Sequence, residues 1–252
     1  MKNLIKADFK KIFYLPGNRS FLISTICLSI LLGMIFLFTT NVTQGRALIE
    51  LSSMEVIDIT LLGMDVAAIM LLIFTANFVK KDLTSGAVHT NLAITPVRGN
   101  YFLSKVSFIS ILAILLSIVL ILLFFAIDQL VLSMNGMGGL SIFALNIFTK
   151  IVGSIVMVLF YSLLSASGTF YLQSAFGGAA FALSVMFLPA LIKMFPADIS
   201  DILLPIFPED ALSALIDVHS ADGSLLRAIL VLLLWIIVSS LIGQWKFKKM
   251  DY

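Results

Sequence analysis

Asp65 is the one acidic side chain well inside a long apolar stretch, the segment from Ile59 to Val79. A carboxylate in hydrocarbon is costly, and is kept where it pairs with a neighbour or lines a path for an ion or polar substrate. Asp65 and Asn77 are therefore the candidate pathway residues of that segment, with structural pairing as the competing role for Asp65. Other chemistry is scarce. The only histidines are His89 and His219, and the charge pattern below assigns them to opposite sides of a membrane, which leaves no histidine metal site or triad. Ser165-Ala166-Ser167-Gly168 lacks the order and the companion histidine of an intramembrane serine protease. No glycine is followed by lysine, so the phosphate-cradling loop of an ATPase is missing. Cys27 stands alone and excludes an intrachain disulfide. The chain carries no engine of its own.

The elements that must position these residues follow from composition. Of 252 residues, 60% are apolar and 12% charged, and the mean hydropathy is +1.11. Soluble domains carry about 25% charged residues, so lipid has to be the solvent for much of this chain. The net charge of +2 gives no reason to expect a nucleic acid partner. The first apolar run begins at Ser20 and is too long for the core of a cleaved signal peptide.

A bilayer core of roughly 30 Å takes about 20 apolar residues of helix. Runs of that length predict spans at residues 20–40, 59–79, 106–127 and 225–245. Ile151 to Ile192 is uncharged and twice too long, so it must be two helices. Gln173, Ser174, Gly177 and Gly178 mark the break, giving spans at 151–172 and 176–194. The runs are continuously apolar and do not alternate, which selects helices over a β-barrel. The reading is a single transmembrane domain over residues 1–252, all-α and six-spanning.

Basic residues set its orientation. Twelve of the sixteen Lys and Arg fall on one side: Lys2, Lys6, Lys10, Lys11 and Arg19, then Lys80, Lys81, Arg98 and Lys105, then Lys246, Lys248 and Lys249. The other side receives most of the acids, among them Glu55, Asp58, Asp128 and Glu209. The positive-inside rule makes the first side cytoplasmic, with both termini there, as an even number of spans requires. A multi-pass protein of the cell membrane is expected.

Three connecting regions carry pattern. In residues 1–16, Ile5, Phe9, Ile12 and Phe13 form an apolar stripe beside Lys2, Lys6 and Lys10, which predicts an amphipathic interfacial helix ended by Pro16-Gly17-Asn18. Lys6, Phe9, Lys10 and Phe13 would anchor it in the headgroup layer, and Tyr101 and Lys105 would anchor the entry of span three. The loop at 80–105 is longer than a connection needs, and Leu83, Ala87, Leu92 and Ile94 suffice for a short helix packed on a partner. On the outer side, Pro196, Pro205 and Pro208 forbid one long helix. Pro208-Glu209-Asp210 opens a short helix with Ala211, Leu212, Leu215 and Ile216 on one face. Met134 to Leu140, with three glycines, reads as a flexible loop.

Six spans, an amphipathic entry helix and a long loop between spans two and three together resemble the membrane subunit of type-two ATP-binding-cassette (ABC) exporters. In that family span two runs into an acidic residue, then Gly, then Pro-x-Arg-x-x-x-Tyr/Phe and Lys. Here the corresponding residues are Asp82, Gly86, then Thr95-Pro96-Val97-Arg98-Gly99-Asn100-Tyr101 and Lys105, with Asp82 standing where Glu is commoner.

The resemblance implies a permease whose dimer, of identical or paralogous subunits, engages two copies of a separately encoded ATPase that binds ATP and Mg. The loop would be a coupling helix seated in that ATPase through Asp82, Leu83, Gly86, Ala87, His89, Leu92, Pro96 and Arg98. Short re-entrant helices between spans five and six would gate the outer mouth. The implied cargo is amphipathic or hydrophobic, as in peptide, toxin and bacteriocin-immunity exporters. Two other classes compete: a secondary carrier using Asp65, and a non-catalytic membrane immunity or scaffold protein.

Overall fold

The computed structural model describes residues 2–43, 45–84, 88, 97–139, 141, 144–216 and 224–249. Nine helices of seven residues or more occur among them, and no strand. They are α1 (Lys2–Tyr14), α2 (Pro16–Phe38), α3 (Ser53–Thr84), α4 (Arg98–Met134), α5 (Leu145–Leu172), α6 (Ala175–Ile192), α7 (Ala197–Leu203), α8 (Pro208–Ile216) and α9 (Ser224–Lys248). Six of these, α2 to α6 and α9, are long and apolar enough to cross a membrane.

Several helix ends have a local cause. Pro16 lies in the first turn of α2, where its missing N–H is harmless, so α1 stops at Tyr14 and a new helix starts almost at once. Ahead of α3, the Ser52 hydroxyl accepts from the Glu55 N–H at 3.2 Å, and the Glu55 carboxylate accepts from the Ser52 N–H at 2.7 Å. That reciprocal box satisfies two otherwise orphaned donors. The long apolar run breaks at Gln173, whose φ of 53° ends α5, and the Ser174 hydroxyl then caps α6 by accepting from Gly177 at 3.2 Å.

Met134 to Gly139 is better ordered by bonding than its glycines predict. Gly136 takes a φ of 67°. Its N–H bonds Ser133 O at 3.3 Å, and the Met137 N–H reaches back to Leu132 O at 2.9 Å. This pair of bonds is a helix C-cap that needs the left-handed residue.

The spans outrun their apolar runs. α4 has 37 residues and rises about 55 Å, well beyond residues 106–127. Asp128, read as one of the outer-side acids just past the apolar run, is a buried member of this helix at 2% exposure. Hydropathy marks where lipid begins, whereas backbone bonding carries a helix on into polar sequence.

The interior mixes a large apolar core with small polar side chains, and large apolar residues also cover the outside. Thr25, Ser29, Ser117, Ser162, Ser165 and Thr169 are fully buried, while Leu122, Leu226 and Leu234 point outward. Lipid removes the hydrophobic drive between helices, so small residues that permit close approach take the contacts. At the crossing of α2 and α3, a Cβ on Gly33 would lie 2.8 Å from Thr60 O, and one on Gly63 2.6 Å from Ser29 O. α3 and α5 occupy the middle and are joined by the Ser165 hydroxyl, which donates to Leu72 O at 2.6 Å.

Candidate functional site

Charge gathers at two places, one at each end of the bundle. The basic end is built around α1. Its inward face carries Ile5, Phe9 and Ile12, which pack on the main core, and Phe9 meets the Phe108 ring edge-on at 5.0 Å. Lys6 and Lys10 are exposed, as is Phe13. Asp8 sits on the inward face among the apolar residues, 3% exposed.

Asp8 does not enter the core alone. Lys105, in the second turn of α4, places its Nζ 2.6 Å from Asp8 Oδ1 and also bonds the Asp82 carboxylate from the end of α3. Lys11 reaches the same Asp82 at 2.9 and 3.0 Å and lies 3.5 Å from Asp8. Two carboxylates and two ammonium groups thus form a neutral cluster. Phe78 and Tyr101 roof it, with the Lys105 Nζ 5.0 and 5.5 Å from their ring centres. Burial is the main influence on Asp8 and pushes its pKa above the usual carboxylate value, against the opposing pull of Lys105 and Lys11.

This cluster revises the roles read from sequence. Tyr101 and Lys105, read as interfacial anchors, are 1% and 2% exposed and face inward. Burial follows because two carboxylates and the Phe247 ring, stacked on Tyr101 at 5.6 Å, offer them partners inside. Asp82 is 5% exposed, so its carboxylate faces α1 and α4. Leu83 packs against the core, and Val88 is fully buried in it. Arg98 donates to Lys248 O at 2.8 Å, which ties the start of α4 to the end of α9. Gly86, Ala87, His89, Leu92 and Pro96 lie outside the described residues.

The second place lies toward the acidic end. On α3, Asp58, Leu61, Leu62 and Asp65 recur at helical spacing and line one side of a cleft of about 330 Å³. Lys150, Ser154 and Met157 of α5 line the other side, and Ile216 of α8 closes a third. Lys150 pairs with Asp58, while Asp65 is half-buried. Asn77 is not brought to this cleft: it is exposed and donates to Ile73 O of its own helix at 3.0 Å.

A neighbouring polar contact joins α3 to α4, where the Thr60 hydroxyl lies 2.9 Å from Asp128 Oδ2. The other Asp128 oxygen has no hydrogen-bond partner among the described residues. Sequence reading missed Asp8, Lys11, Asp58, Asp128 and Lys150 as site residues. The available signal for Asp8 was its place in the apolar stripe of α1, four residues before Ile12.

No family model matches this chain, and no curated protein matches it. The fold and its charged sites define a class, an all-α multi-pass membrane protein. Its basic end is locked by a buried ion cluster, and a polar cleft opens near its acidic end.

Proposed function

We propose that the chain is the membrane-spanning permease subunit of an ABC exporter, moving an amphipathic or hydrophobic substrate outward. The basic end is then cytoplasmic, with both termini on that side, in the cell membrane. Energy comes from a separately encoded ATPase that binds ATP and Mg, in two copies per permease dimer. The observation that carries this reading is the rooting of the loop at 80–105. Asp82 at one root and Lys105 at the other are cross-linked through Asp8 and Lys11. Arg98 adds α9 to the same assembly. A force applied to such a loop reaches α1, α3, α4 and α9 together, which is what a coupling element must do.

In this reading α1 works at the inner interface, and α7 and α8 form the re-entrant outer gate. Gly86, Ala87 and Leu92 contact the ATPase, and a bulky residue at 86 blocks that seat. The test is co-purification of the proposed partner ATPase with wild-type and Gly86→Trp permease, alongside substrate export from intact cells. Loss of both at normal membrane levels is expected. Wild-type association and export by the variant would refute the coupling role, as would ATP hydrolysis by the purified chain alone.

The cleft at Asp65 favours a second reading, a secondary carrier. That alternative requires transport in ATP-depleted vesicles that ceases in Asp65→Asn.

A further inference from the structure

We infer that the cleft between α3, α5 and α8 is a binding site for an ammonium group carried on an apolar body. The inference stands on the cleft and on the membrane setting of α3, so it can fail or hold separately from the exporter reading.

Asp58 and Asp65 lie seven residues apart on one face of α3, which sets Asp65 about 10 Å further along the helix. Among the described residues, Lys150 is the one cation that lines the cleft; it is held by Asp58, and its side chain is only 12% exposed. Asp65 therefore faces the cleft with no hydrogen bond or ion pair among the described residues. Two carboxylates against one ammonium leave the described lining of the cleft one positive charge short. A carboxylate so placed in a span is strongly favoured by a cation at contact distance.

Shape and lining narrow the chemistry. The volume of about 330 Å³ is at the small end of ligand sites. It suits one amine and the first part of a chain, not a whole peptide. Leu62 is 44% exposed at the mouth, and Met157 and Ile216 continue the apolar wall. A bare metal ion would find few oxygen ligands here, whereas an alkylammonium would set its charge on Asp65 and Ser154 and its methylenes on the wall. The amine could belong to an ethanolamine lipid headgroup or to a cationic amphiphile, and the experiment separates these sources.

The full-length chain is placed in phosphatidylcholine nanodiscs and photolabelled with a diazirine-bearing long-chain primary amine or the matching alcohol. Mass spectrometry of the labelled peptides then locates the adducts. The amine should label the segments holding Leu62 and Met157 about tenfold more than the alcohol does, and Asp65→Asn should abolish that difference while Asp65→Glu keeps it. Leu62→Trp, which fills the mouth and leaves every charge in place, should also remove the labelling. Suppression by phosphatidylethanolamine in the disc assigns the site to a headgroup. Suppression only by soluble dodecylamine assigns it to a free amphiphile. Equal labelling by amine and alcohol, or undiminished amine labelling in both Asp65→Asn and Leu62→Trp, would overturn the inference.

Discussion

The Lys105 ammonium lies 2.6 Å from the Asp8 carboxylate, across 97 positions of sequence. That contact fixes the first helix to the start of the third long span, and Asp82 makes it a three-helix junction. A buried ion pair is seldom a net source of stability, but removing one partner leaves a charge stranded.

Lys105→Met should accordingly destabilise the protein severely, by about 3–5 kcal/mol, because it leaves Asp8 and Asp82 facing each other with Lys11 alone. Asp8→Asn should cost far less, since Lys105 keeps Asp82 and burial already disfavours a charge at position 8. The double variant should recover part of the Lys105→Met loss. Thermal unfolding in detergent measures all three. Equal losses in the two single variants would contradict the pairing.

Acidification should strengthen the docking of α1. Asp8 has a raised pKa when docked, chiefly through burial, so the docked state binds a proton more readily than the free helix. Stability from this group is greatest below its ordinary value of 3.8 and falls as pH rises through the window up to the docked value. A spin label at Tyr14 should become more mobile as pH rises through that window. Asp8→Asn should flatten the response, and an unchanged profile in that variant would assign it to another group.

The crossing of α2 and α3 should not tolerate a side chain at Gly63. A Cβ there would meet the Ser29 carbonyl oxygen at 2.6 Å, and that oxygen is backbone and cannot swing aside. Gly63→Leu should cost about 1–3 kcal/mol or more. Gly17→Ala meets nothing within 4 Å and should leave the melting temperature unchanged or slightly higher. Similar melting temperatures for both variants would rule out tight packing at this crossing.

Reporter fusions test the membrane orientation. Twelve of sixteen basic residues favour one end, so reporters after Tyr252 and at Ser85 should read as cytoplasmic, and one at Asp201 as external. An external signal at Ser85 would invert the topology.

Much of the architecture is legible in the chain. The six apolar runs and the break at Gln173 could be read directly, as could the short helix opening at Pro208. Each rests on neighbours within a few turns: hydropathy adds along a helix, and a proline or a polar break acts where it stands. Helix ends were less legible, as α4 shows by carrying Asp128 inside. Its hydrogen bonding continues where the apolar run stops.

What only the tertiary structure decided is which charges meet. Asp8, Asp82 and Lys105 come from three helices, and Asp58 and Lys150 make one more pairing of distant sequence, between α3 and α5. In the sequence these read as orienting charges, as a surface anchor or, for Asp82, as a coupling residue. Their true surroundings depend on how far each helix rotates and how closely its small residues let it approach the next. Span number and helix period are local quantities and survive in one dimension. The neutralisation of a buried charge is set by a partner's position in space, and that exists only once the helices have packed.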